Sequence, residues 1–444
     1  MGARRPVNVL MIGAGEYTAG FVQTAHGAAT DKPAGVVALT CFDLRRSGLV
    51  GRMVLCDRCG TRMPAVRATI EAKIGSVYAG LDTALECFPA DDVPDDADAY
   101  KKALATMSPG DAAIIFTPDD SHFQIAAACL AAGLHTLVAK PLVRTLEHHR
   151  ALIEAAEDAG VMLAVEYHKR FDPIYSDARN RARSLGPFSY FYSYMAQPKV
   201  QLETFRGWAG RSSDINYYLN SHHIDIHNWM AGHAARPERV VALAAAGVAE
   251  GMLGRPCEDT ITLSVQWRAL EGGAVGTAVY TASWIAPKAE CHTRQHFHYM
   301  GQTGELHADQ AHRGYSGATD AAGYAAINPL YMRYVPDANG RFAGQTGYGY
   351  ISIAKFLETA RDLRDGPLSL ASVRREGQLA LAQDTLAVTA ILEAGRASLD
   401  AGGAPVEIEY DGAGAPAAVR VAGGAGGAAA GAAKKKGAPA LVAA

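Results

Sequence analysis

The 444-residue sequence predicts an α/β domain with a parallel sheet, followed by an α+β domain with a large, mainly antiparallel sheet. From Val7 to Ala139, short apolar runs (VNVLMI, VVALTCF, AAIIF) alternate with longer helical patterns, the rhythm of parallel strands joined by crossover helices. Beyond about residue 160, aromatic and β-branched runs follow one another with few helices between them, as antiparallel pairing requires. Length and a hydrophobic content of 49% allow each domain its own core.

VNVLMI is the first strand and runs into the glycine-rich GAGEYTAG; VVALTCF is read as the second strand, ending at Asp43. The segment 47–98, rich in Arg, Gly, Pro and Asp, is expected to be a helix and a short strand embellished by loops. AAIIF is the next strand, 122–133 the clearest helix, and HTLV the strand before Lys140-Pro141. A helix over 146–160 and a strand over 161–167 lead into the runs FSYFYSYM, RVVALAAAGV, DTITLSVQW, AVGTAVYTASW and HFHYM. Helices over 350–365 and 373–399 close the fold. The expected boundaries are 1–142, 143–402 and a low-complexity Ala/Gly tail over 403–444. The tail is expected to be disordered from about 414, with Lys434, Lys435 and Lys436 as solvated charge.

A net charge of -3 gives no footprint for nucleic acid, and no apolar run of about 18 residues could span a bilayer. The N-terminus lacks a leader pattern, and seven scattered cysteines suit reduced thiols, so a cytoplasmic protein with a small-molecule ligand is expected. An open sheet face in the second domain would allow a homodimer.

GAGEYTAG follows a strand and opens a helix, where backbone amides can approach a pyrophosphate. This makes the first domain a Rossmann domain, with Gly13, Gly15, Glu16, Tyr17 and Gly20 as cofactor-binding candidates. Asp43 is placed to accept from the adenosine ribose. A 2'-phosphate beside it would meet a repulsion of about 4 kcal/mol at ~4 Å and an effective dielectric of ~20. Arg45 and Arg46 would offset that repulsion, so NADP(H) is favoured over NAD(H). Thr117, Pro118 and His122 join a buried strand to a helix at the carboxyl edge of the sheet, as cofactor-wall candidates. Lys140 emerges at the same edge, where desolvation would lower its pKa and let it donate a proton to a carbonyl oxygen as hydride arrives.

The pieces GAGEYTAG, TPDDSH, AKP, EYHKRFDP and LNSHHIDIHNW resemble, in order and spacing over about residues 7–400, the glucose-fructose oxidoreductase, inositol dehydrogenase and MocA (Gfo/Idh/MocA) family. Within it, GEYTAGFV, FDLRRSGLVG, YSYMAQPK and YYLNSHHIDIHNWM are most similar to fungal D-galacturonate reductases. The resemblance implies NADPH-dependent reduction of the open-chain aldehyde of D-galacturonate to L-galactonate, with the proton from Lys140. Another sugar or cyclitol dehydrogenase and a non-catalytic dinucleotide-sensing regulator are the competing readings. Two positions depart from the family pattern: Ala139 stands for its glutamate before the lysine, and Tyr218 for an aspartate four residues before His222.

His222 and Asp225 share a helix face, so Asp225 is expected to hold the imidazole of a catalytic His222, with His223 as its rival. A buried uronate carboxylate needs a cation. Lys169, Arg170 and Arg294 are the substrate-binding candidates for it, and Tyr217 an added aromatic wall. His223 and His227 lack a third ligand and Cys56-Asp57-Arg58-Cys59 lacks a second pair, so no metal site is expected.

Overall fold

The computed structural model describes residues 4–22, 32–321 and 323–422. The strands are β1 (Val7–Ile12), β2 (Val50–Cys56), β3 (Glu86–Phe88), β4 (Ala112–Ile115), β5 (His135–Ala139), β6 (Leu163–Glu166), β7 (Phe188–Pro198), β8 (Ala235–Ala246), β9 (Glu258–Ala269), β10 (Val275–Ala286), β11 (Arg294–Gly301), β12 (Gly304–Asp309), β13 (Ser316–Thr319), β14 (Gly323–Ala326), β15 (Ala380–Leu381), β16 (Val406–Tyr410) and β17 (Pro416–Val421). The first sheet has the order β15-β6-β5-β4-β1-β2-β3, parallel except for β15. Its central strands are buried on both faces and therefore read as continuous apolar runs. The chain reverses direction across the sheet between β1 and β4, which opens a crevice at their carboxyl ends.

The second sheet runs β12-β11-β7-β10-β9-β8-β16-β17 and is antiparallel apart from the β7–β10 pair. In β9 the period of two sends Ile261, Leu263, Val265 and Trp267 inward, against the helices Ser221–Ala231 and Ala382–Asp400. Among the described residues no helix is long and apolar enough to cross a membrane.

The structure departs from the sequence reading in four places. VVALTCF is not a strand but the start of a helix, Val37–Arg46, whose first eight residues are all buried. An apolar run enclosed on every side carries no period to separate helix from strand. The second strand is β2, within the segment read as a helix and a short strand with loops, which holds two strands, β2 and β3. The boundary at 142 falls inside the first sheet, since β6 adds to β5, and β15 returns from the far end of the chain. The helix expected over 373–399 is broken at Gly377, whose φ of 64° ends one helix before β15 and the next begin.

The tail is also ordered further than expected. Val406 and Ile408 alternate with polar residues and bury against the second sheet, and β17 pairs with β16 through Val421. The three lysines near the end lie outside the described residues.

Candidate active site

Two cavities meet at the carboxyl edge of the first sheet. One, of 1160 Å³, is lined by Gly13, Gly15, Glu16, Asp57, Arg58, Arg62, Thr117, Pro118 and Ser121. The other, of 520 Å³, is likewise walled by both domains and holds Tyr17, Lys140, Lys169 and His222. Gly15, Glu16, Thr117 and Pro118 belong to both, so the cavities form one continuous cleft.

Gly13 has φ 99°, and a Cβ there would come within 2.1 Å of the Phe116 carbonyl oxygen, so β1 and β4 approach each other only through glycine. Gly15 faces open space on the cleft side. The Ala14 amide donates to Asp57 Oδ2 at 3.1 Å, which fixes the glycine turn against the carboxylate ending β2. A glycine cradle at a helix start, an acid at the tip of the second strand and a large crevice at the sheet's reversal point fit a dinucleotide.

The acid and arginines of that cradle are therefore Asp57, Arg58 and Arg62. Asp43 is buried in the helix Val37–Arg46, where it accepts from Arg46 at 2.6 Å and from Tyr350 at 2.8 Å, and it lines neither cavity. Arg45 is spent on Asp82 and the Ala84 carbonyl. Gly20 ends the short helix Glu16–Ala19 and packs against the backbone of Pro33 to Gly35, outside the cleft. His122 is fully buried and meets the carbonyls of Thr117 and Pro141 at 2.9 and 3.0 Å. It therefore ties the two loops of the site together rather than forming the cofactor wall.

Lys140 follows β5 and is enclosed between the domains. Its ammonium donates to the Tyr218 carbonyl and lies over the Tyr218 ring, 3.9 Å from the centroid. Burial, helped by Lys32 and Lys169 and opposed by Asp119, brings its pKa down to about 7. His222 lines the same cavity, and its buried Nδ1 has no hydrogen-bond partner among the described residues. Burial, with Lys140 and Lys169 nearby, holds this imidazole well below its ordinary pKa and hence neutral.

Asp225 does not orient His222. It forms a two-pronged ion pair with Arg170 at 2.6 and 2.8 Å, both side chains essentially inaccessible, so neither residue reaches the cleft. The neighbouring Lys169 does reach it and donates to Gln295. His223 meets the Tyr175 hydroxyl at 2.9 Å, and the Tyr217 hydroxyl donates to the Arg144 carbonyl at 3.1 Å; both lie behind the wall. Arg294 is exposed, because at the start of β11 it is Gln295 that points inward.

Other lining groups were not singled out from sequence. Glu166, opposite Ala139 in the β5–β6 register, accepts from Ser352 at 2.6 Å and is pushed by burial to about 8. His168 meets the Tyr17 hydroxyl at 3.3 Å, and Gln197, His292 and Thr293 supply polar wall from the second sheet. Only the position of Glu166 and His168 at the end of an apolar strand could have marked them.

A buried lysine and a neutral imidazole thus share one cleft with a glycine cradle that fits a dinucleotide. Residues 56–167, about a quarter of the chain, match the family GFO_IDH_MocA, an oxidoreductase family with an NAD-binding Rossmann fold. The chain is 34% identical over 118 residues to the uncharacterized oxidoreductase YdgJ of Escherichia coli, covering 26% of this chain and 34% of that protein. It is 29% identical over 140 residues to the scyllo-inositol 2-dehydrogenase (NADP(+)) IolW of Bacillus subtilis, covering 30% and 38%. These matches span only about a third of the relatives' length. The fold as a whole is similar to GenD2 from gentamicin A biosynthesis in complex with NAD, with TM-score 0.62, 21% identity and 91% and 97% of the two chains covered. It is also similar to scyllo-inositol dehydrogenase from Lactobacillus casei with NAD(H) and scyllo-inositol, with TM-score 0.59, 14% identity and 91% and 99% covered.

Proposed function

We propose that this chain reduces the aldehyde of a sugar acid, D-galacturonate to L-galactonate, with Lys140 as the proton donor. The observation that carries the reading is the placement of Lys140, His222 and Lys169 around one cavity continuous with the glycine cradle. Gly13, Gly15, Asp57, Thr117 and Pro118 hold the dinucleotide, whose nicotinamide supplies the hydride when bound. Lys140, poised near neutrality, gives its proton to the carbonyl oxygen, so the aldehyde becomes a primary alcohol and the amine is left neutral. His222 stays uncharged and offers Nδ1 to a substrate hydroxyl. Lys169 supplies the cation that a carboxylate entering this enclosed wall requires. Arg62, and Arg58 once released from its ion pair with Asp95, line the cradle beside Asp57 and support NADP(H) over NAD(H).

A second reading, oxidation of a neutral cyclitol, is favoured by the amide and hydroxyl wall of Gln197, Thr293 and Gln295, which suits hydroxyls as well as a carboxylate. The deciding experiment follows NADPH and NADH absorbance with D-galacturonate, D-glucuronate, D-galactose and myo-inositol, the last in the oxidative direction with NADP+ and NAD+. Turnover of the uronates alone supports the acid reductase; turnover of myo-inositol alone replaces it with the cyclitol enzyme.

A further inference from the structure

Among the described residues, Glu290, Cys291 and His312 each bring one ligating atom to within 4.8 Å of the others. Glu290 and Cys291 precede β11 and His312 follows β12, so the β11–β12 hairpin closes them onto one another across about twenty residues of sequence. His312 is gripped at both nitrogens: Nε2 meets Glu290 at 2.8 Å and Nδ1 meets Asp309 at 2.9 Å. Asp309 is itself fixed, its other oxygen accepting the Ala311 and His312 amides at 2.9 and 3.0 Å.

This is the pattern in which an outer carboxylate sets a histidine's tautomer and turns the free nitrogen to a metal. The Asp309–His312 contact fixes Nδ1 and leaves Nε2 directed toward Glu290. A thiol, an imidazole and a carboxylate form the donor set of zinc-class ions, whereas magnesium and calcium prefer oxygen alone. Three protein ligands leave a fourth position for water or a ligand oxygen. Cys291 also lines the substrate cavity, so the cluster lies at its wall.

We propose that Glu290, Cys291 and His312 bind a zinc-class divalent metal at the wall of the substrate cavity, with Asp309 orienting His312. The ion displaces the thiol proton and the proton on His312 Nε2 into solvent, leaving thiolate and neutral imidazole as ligands. The surface group His298, Glu305 and His307 on the same hairpin lacks a thiol, and the Cys56/Cys59 pair lies at the other end of the cleft, so a sulfur-specific readout combined with substitution separates the three.

The test is titration of the chelator-treated full-length protein with Co2+, followed by the thiolate-to-cobalt charge-transfer absorption and its loss on adding Zn2+. The expected result is a charge-transfer band saturating at about one Co2+ per chain, absent in Cys291→Ser. Asp309→Asn is expected to weaken binding ~10- to 100-fold. The exposed His312→Ala gives a second variant should Cys291→Ser misfold, each variant being checked by circular dichroism. A wild-type protein without the band, or a band that survives both Cys291→Ser and His312→Ala, overturns the assignment. The readout is independent of turnover, so it stands or falls apart from the proposed reaction.

Discussion

The ammonium of Lys140 rests on the face of Tyr218 and donates to the carbonyl of the same residue. The two positions that depart from the family pattern, Ala139 and Tyr218, are thus neighbours of one lysine: where no glutamate precedes Lys140, a tyrosine ring and a backbone oxygen hold it. Replacing Tyr218 by Leu removes the ring and keeps the carbonyl. Loss of a desolvated cation–π contact of ~1–2 kcal/mol lowers the Lys140 pKa further, by about one unit. The pH–rate profile of Tyr218→Leu is expected to shift to lower pH; an unmoved profile would show that the ring does not support the charge.

Lys140→Met should bind NADPH with near wild-type affinity and turn over ~100-fold more slowly or worse, the scale for a lost general acid. In the wild-type protein the donating form is the ammonium, with a pKa of about 7. The rate of aldehyde reduction is therefore expected to be full below that value and to fall as pH rises through it. His222, whose pKa is lowered, stays neutral there and adds no second limb.

Cofactor choice is expected to follow β2. Arg58→Ala and Arg62→Ala should each raise the KM for NADPH ~10-fold and leave that for NADH nearly unchanged, as loss of a charge-assisted phosphate contact predicts. Asp57→Ala should weaken both dinucleotides, since it releases the Ala14 amide as well as the ribose. Arg45→Ala should alter neither KM.

Lys169→Met is expected to raise the KM for uronates ~10- to 100-fold, equivalent to one charged hydrogen bond, with little change for a neutral sugar. Tyr217→Phe, which loses only a bond to the Arg144 carbonyl, should leave both unchanged.

The Arg170–Asp225 pair is a stability element. Arg170→Ala or Asp225→Ala leaves a buried unpaired charge, at a cost of ~3–5 kcal/mol in urea unfolding. The double change Arg170→Met, Asp225→Leu should recover much of the loss, because no charge is then stranded.

Period and position made much of this molecule legible. The alternation in β9 and β10 identified the second sheet, and the strand before GAGEYTAG placed Gly13 and Gly15 in the cleft. The acid was placed at Asp43 because VVALTCF was read as the second strand; that strand comes later, and the carboxylate it brings to the glycine turn, Asp57, stands 42 residues past Gly15 rather than the family spacing of about 20. That spacing lands on Asp43, inside a buried helix. Lys169 and Arg170 could not be separated in sequence, since adjacent cations on a single turn face opposite ways, one to the cleft and one to Asp225. Tyr217 and Tyr218 divide in the same manner.

The helix Tyr348–Asp365 packs Ile353, Phe356, Leu357 and Ala360 into the same core as Val7, Val9 and Met11, and β15 pairs with β6. The early helix Val37–Arg46 covers part of that face, but the rest stays open until the ribosome has made roughly 200 further residues after β6, about 10–40 s at ordinary elongation rates. During synthesis the part of the sheet that this helix will cover presents bare apolar side chains to solvent or to a chaperone. The nascent chain cannot close its first domain before its second, so assembly waits on the distant end of the polypeptide.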